Sequence, residues 1–167
     1  MEGWALAEDG DPGTGVPETE AALAIWQQLG AHIWDSQWYL LLAKAYICAG
    51  RLPEARNALQ TAFRAANDNG EHCLTAELHR LDGELRLASS GAHGEAEQCF
   101  QMAMDVARKQ KAKLWELRAA TSLARLWQSQ GKRKDTHALL APIYGWFAEG
   151  FDTKDLEGAK ALLAELR

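Results

Sequence analysis

The stretch AKAYICAGRLPEARNALQTA, residues 43–62, decides the fold. Residues three and four apart share a helix face, so Ala43 and Tyr46 lie together on a first helix, and Ala55, Leu59 and Ala62 on a second. Ala43 and Ala55 carry little bulk, which lets two helix backbones approach, and Tyr46 fills the space beside them. Gly50 can take the left-handed conformation that ends a helix at little cost. Pro53 has no N–H to lose in the first turn of the next helix, and its φ is already helical. A stop signal followed at once by a start signal predicts a helical hairpin.

The turn glycine recurs. Gly10, Gly50, Gly91 and Gly131 follow one another at intervals of about 40 residues, a spacing in the range of helical repeat units. Each stands between two apolar helical stretches. One such hairpin cannot bury its apolar face alone, so repeated hairpins are expected to stack. Small contact residues, a Tyr and a turn glycine in this order resemble the tetratricopeptide repeat (TPR), although the period exceeds the roughly 34 residues of the standard unit. The expectation is an all-α protein with one domain over residues 1–167. It is an α-α superhelix, a TPR-like solenoid of about four hairpins closed by a C-terminal capping helix. The units fall at about 1–30, 33–69, 71–110 and 114–147, and the capping helix at about 153–166.

The irregular places are informative. Only Met1 to Asp9 precede Gly10, and the breakers in Asp11-Pro12-Gly13-Thr14-Gly15-Val16-Pro17 put the start of the next helix near Pro17. Ala22, Ile25, Trp26 and Leu29 form its apolar stripe. Gly83 fits the close-contact position only if the turn from Ser89 to Gly94 carries one extra residue. Thr136 replaces the small Ala of the last hairpin, and Pro142 should kink or loosen a helix that otherwise runs to about Phe147. Asp152 or Thr153 should cap the final helix, apolar along Leu156, Ala159, Leu162, Leu163 and Leu166 and polar outside.

Composition narrows the function. A net charge of −5 argues against general nucleic-acid binding, and no apolar run reaches membrane-spanning length. Three cysteines, an odd number without a CxxC pair, read as free, buried thiols in a reducing cytoplasm. No cofactor or metal is expected. His72 and His79 lack the three- or four-residue spacing of helical ligands, and Gly13 and Gly15 offer no side-chain oxygen to a calcium loop begun by Asp9 and Asp11. No GxSxG elbow occurs, and Cys73 cannot face the adjacent His72. The basic runs Arg108–Lys113 and Lys132–Lys134 sit at hairpin ends, where cations complement helix C-termini.

Several segments carry a closer resemblance: GWALA (3–7), AELHRL (76–81), GEL (83–85), EAE (95–97), ELRAATSLARLW (116–127), LLAPIYGWF (139–147) and EGFDT (149–153). Together they resemble the C-terminal TPR region of large bacterial regulators. Those proteins join a nucleotide cyclase or a winged-helix DNA-binding domain to a signalling ATPase and then to such repeats. The resemblance spans essentially the whole chain and implies a protein-interaction module rather than a catalyst. The chain has no GxxxxGK[ST] loop, so the expectation is either a piece of a longer protein, which the short first hairpin favours, or a free-standing protein made of the repeats alone.

In this repeat class the first helices line a concave groove in which a peptide or partner helix lies. The groove positions carried across are Trp4, Gln37, Leu40, Lys44, Glu77, Arg80, Glu84, Arg118, Thr121, Arg125 and Gln128. Lys and Arg there can clamp carboxylates of a partner. The plainer alternative is that these charges pair within and between helices, each pair worth under about 1 kcal/mol. Two other functions stay open: a small hydrolase with its site in the groove, and a structural oligomerisation unit. In the latter a second copy would cover Trp4 and Trp26 to form a homodimer.

Overall fold

The computed structural model describes residues 3–30 and 32–166; Met1, placed above in the first helix, lies outside them. Nine α-helices and no strand occur among the described residues. They are α1 (Gly3–Glu8), α2 (Pro12–Gln28), α3 (Asp35–Cys48), α4 (Leu52–Asp68), α5 (Thr75–Ser90), α6 (His93–Lys109), α7 (Lys113–Ser129), α8 (Arg133–Tyr144) and α9 (Lys154–Glu165). A short 3₁₀ turn, His72–Leu74, precedes α5. Four hairpins, α1–α2, α3–α4, α5–α6 and α7–α8, stack in sequence, and α9 closes the row against α7 and α8. The core follows the stack in two apolar clusters, one from α1 to α5 and one from α6 to α9.

Each hairpin is held at one close approach. A Cβ on Gly15 would lie 2.3 Å from the Gly3 carbonyl oxygen, and one on Gly83 would lie 2.5 Å from the Phe100 ring. Ala43, Ala55, Ala96, Ala124 and Thr136 are fully buried at the corresponding places. The Thr136 hydroxyl donates to the Lys132 carbonyl at 2.7 Å, so its extra polar atom is satisfied. Gly3, Ala43, Gly83 and Ala124 on the first helices, and Gly15, Ala55, Ala96 and Thr136 on the second, repeat with the same period as the turn glycines.

The turn glycines do what their spacing predicts: Gly10, Gly50, Gly91 and Gly131 have φ of 102°, 70°, 62° and 77°. The extra residue before Gly91 is absorbed by helix. α5 runs to Ser90, directly before its glycine, whereas α3 and α7 stop one residue earlier, at Cys48 and Ser129. A second left-handed series ends the second helices, at Gly30, Gly70 and Lys111, with φ of 66°, 70° and 56°. The start of α3 is capped by the following unit: Glu71 accepts from the backbone N–H of Trp34 at 2.7 Å and of Ser36 at 3.0 Å. That carboxylate supplies what α3 lacks, since no side chain at its own N-cap bonds the exposed amides.

Several expectations are corrected. α2 begins at Pro12, not near Pro17. Asp11 caps it, accepting from the Thr14 N–H at 3.1 Å, and Pro12 occupies the first turn, where a missing N–H costs nothing. Its buried face is Gly15, Val16, Thr19 and Leu23, while Ile25 and Leu29 are 60% and 72% exposed. α8 ends at Tyr144, just past Pro142 and short of Phe147. Cys48 and Cys73 are exposed and Cys99 is half-buried, so the thiols are free but not buried. Thr153 is the N-cap of α9, yet its hydroxyl donates to the Gly150 carbonyl at 2.8 Å and accepts nothing from the helix.

Lys111 supplies a test of the second turn series. Its left-handed backbone is strained for a residue with a Cβ, by about 1–2 kcal/mol before the entropy of glycine is set against it. Lys111→Gly should raise stability by up to about 1 kcal/mol, a Tm gain of roughly 2–4 °C by thermal melting; an unchanged or lower Tm would contradict the assigned turn.

Candidate functional site

The first helices of the hairpins share the concave face, and the repeat sets their side chains in rows. Gln37, Glu77 and Arg118 form one row, Leu40, Arg80 and Thr121 a second, and Lys44, Glu84 and Arg125 a third, each with the period of the hairpins. Neighbouring helices tie these side chains together both along a row and between rows. Lys44 of α3 and Arg118 of α7 both reach Glu77 of α5, at 3.3 Å and 3.0 Å. Arg80, one turn along, grips the same carboxylate with two hydrogen bonds of 2.7 and 2.8 Å.

Three cations therefore converge on one carboxylate that is 1% exposed. Burial alone would push the Glu77 carboxyl up. The hydrogen bonds from Arg80 and the charges of Arg80, Arg118 and Lys44 outweigh burial and hold it below the ordinary carboxylate value. Burial would likewise lower Arg80, but its bonds to Glu77 and its pairing with Glu84 hold its guanidinium above the ordinary value.

The network extends to both ends of the stack. Lys44 lies 3.7 Å from Glu8 of α1 and 5.6 Å from the centre of the Trp4 ring. Arg118 lies 3.5 Å from Asp155 of α9 and stacks at 5.2 Å on Trp115. Ser122 donates to Glu84 at 3.0 Å and accepts from Arg80 at 3.3 Å. Lys154 at the start of α9 reaches Asp9, just past α1, at 3.2 Å, so the two ends of the row meet across the groove.

The expected groove residues thus divide. Lys44, Glu77, Arg80, Glu84 and Arg118 are knitted together, with Trp4 packed on Lys44. Leu40 is 4% exposed and belongs to the core. Thr121 is buried and donates to the Leu117 carbonyl at 2.8 Å. Gln128 ties α7 to the end of α9 by donating to Glu165 at 2.9 Å. Gln37 is half-buried, and Arg125 is exposed, its guanidinium lying against Gly158 of α9. Glu8, Ser122, Lys154 and Asp155 join the site although their residue types alone did not single them out. The signal for Glu8 was its nearness to Trp4, for Lys154 and Asp155 their place at the start of α9, and for Ser122 its place beside Thr121.

Two hollows open on this face. A polar cavity of about 140 Å³ is walled by Arg80, Arg118, Arg125, Lys154 and Asp155, with Thr121 and Ser122 beneath. A second hollow of about 300 Å³ lies among α5, α6 and α7 and is lined by Leu87, Phe100 and Leu126 together with Glu84, His93 and Ser129. Ser122 and Arg125 border both. At the other end of the stack, a hollow of about 340 Å³ is lined by Trp4, Ile25, Trp38 and Leu41. No helix among the described residues is long and apolar enough to cross a membrane.

Glu77 should dominate the stability of this face. Glu77→Gln leaves three cations around an uncharged amide and should destabilise the fold by about 3–5 kcal/mol in urea unfolding. A loss below about 1 kcal/mol would show that the network contributes little. Because the folded value lies below the unfolded one of about 4.3, the contribution is complete above that pH and is lost as pH falls through the folded value. The wild-type protein should therefore lose stability more steeply in acid than the Gln variant.

Comparison with solved structures agrees with this architecture. The chain is similar to a crystal structure of a Podosopora anserina putative kinesin light chain, described as having nearly identical TPR-like repeats. The TM-score is 0.67 at 17% sequence identity, over 99% of this chain and 86% of that one. No family model matches the sequence, and no curated protein matches it. At that identity the likeness speaks for the fold alone: the chain folds as a TPR-like solenoid of helical hairpins.

Proposed function

We propose that the chain is a protein-interaction module that docks a peptide segment or partner helix on its concave face. The observation that carries this reading is the pair of adjoining hollows, one polar and one apolar, that meet at Ser122 and Arg125. Folds of this class generally serve as interaction scaffolds. The sequence resemblance further suggests the repeat region of a bacterial cyclase- or ATPase-type regulator working in the cytoplasm, a compartment that suits three free cysteines. The hydrolase alternative has less support, because the groove serine Ser122 gives its hydroxyl proton to Glu84 and not to a histidine.

The groove reading is tested by a pull-down with the whole chain as bait. Arg125→Glu should reduce capture of a partner by about tenfold or more, with far-UV circular dichroism unchanged. Arg64→Glu, an exposed change on α4, should not reduce it. Equal capture by both variants would contradict the reading.

A second reading is favoured by the N-terminal hollow, where Trp4, Trp38 and the 60% exposed Ile25 leave apolar surface beside the exposed Leu29. There a second copy of the chain would form a homodimer. Sedimentation equilibrium should show a dimer that Ile25→Asp converts to monomer; a monomer at every concentration would contradict this second reading.

A further inference from the structure

The concave face is unequal along its length. Toward α1 the charges are engaged: Lys44 reaches the Glu77 carboxylate at 3.3 Å and lies 5.6 Å from the centre of the Trp4 ring. Toward α9 the face is open, and there one cation is left without a carboxylate. Arg80, Arg118, Arg125 and Lys154 face the polar cavity. The acids near them are Asp155 in the wall, Glu77 bonded to Arg80, and Glu84, which pairs with Arg80 and also lines the adjoining hollow. Lys154 finds its own partner outside the cavity, in Asp9.

The unanswered charge is that of Arg125. Among the described residues Arg80 is paired with Glu77 and Glu84, and Arg118 with Glu77 and Asp155, whereas Arg125 enters no ion pair. It is exposed, so its guanidinium fork can meet an incoming carboxylate without first leaving a buried partner. The same side chain forms the rim of the hollow floored by Leu87, Phe100 and Leu126, which asks for an apolar group.

We propose, building on the groove reading above, that this half of the face recognises an extended peptide by two side chains set close together. A Glu or Asp carboxylate would lie on Arg125 at the mouth of the polar cavity. A bulky apolar residue, two positions away, would enter the Leu87–Phe100–Leu126 hollow. In an extended segment residues two apart project to the same side about 7 Å apart, which suits two hollows that share a rim. The occupant is a short acidic–apolar peptide segment, and its charge complements the unpaired guanidinium.

The test is a random-peptide display library selected on the whole chain, followed by fluorescence polarisation with a labelled enriched peptide. Enriched peptides should carry Glu or Asp two positions from Leu, Ile, Phe or Met. Arg125→Gln should weaken binding by about tenfold, Glu→Gln in the peptide should weaken it equally, and the two changes together should cost little more than either alone. Ser129→Trp, an exposed change at the apolar hollow, should block binding. Peptides that lack an acid yet are blocked by Ser129→Trp would overturn this inference and leave the groove reading standing. Peptides indifferent to both substitutions, or no enrichment at all, would overturn both.

Discussion

One buried carboxylate organises the concave face. Glu77 lies on α5, midway along the stack; it accepts hydrogen bonds from Arg80 of its own helix and forms ion pairs with Lys44 of α3 and Arg118 of α7. A charge so buried is costly unless partners surround it, and here three cations do. Helical hairpins stacked through small residues could slide or splay with little loss of apolar burial. A carboxylate that must meet Lys44 on one side and Arg118 on the other allows far less of that freedom. The Lys44–Glu77 contact bridges α3 and α5 directly on the inner side, beside the apolar cluster that α3, α4 and α5 share.

The same network determines what is left for a partner. Residues that read in sequence as a row of available charges are mostly engaged with one another, and Arg125, which enters no ion pair among the described residues, stands where the polar and apolar hollows meet. The Lys44–Glu77 contact lies in the half toward α1, and the polar and apolar hollows open in the half toward α9. The Asp9–Lys154 pair, highly exposed on both sides, links the two ends only weakly.

Much of the fold was legible because the constraint is periodic. A glycine with positive φ at the same place in every hairpin, with small residues at a nearly fixed offset before and after it, specifies the hairpin and its repetition. The misreading of α2 shows the limit of local rules. Pro12, Gly13 and Gly15 look like breakers, yet Gly15 stands one repeat before Ala55 and is the point where α2 touches Gly3 of α1. The period outranked the local composition. Lys111 was hidden for the opposite reason, a left-handed turn occupied by a residue that does not advertise one. At the site, residue types and faces could be read from spacing. Which charges meet does not follow from the rows: Lys44 meets Glu77 rather than Glu84, its counterpart in the same row, whereas Arg118 meets Glu77 along its own row.

The account rests on Glu77 coupling one hairpin to the next, and a double-mutant cycle measures that coupling directly. Lys44→Met, Glu77→Gln and the pair together would be compared by urea unfolding. The second substitution should cost less once the first has been made, with a coupling of at least about 1 kcal/mol. Additive effects, within roughly 0.5 kcal/mol, would contradict the claim that this contact joins the units.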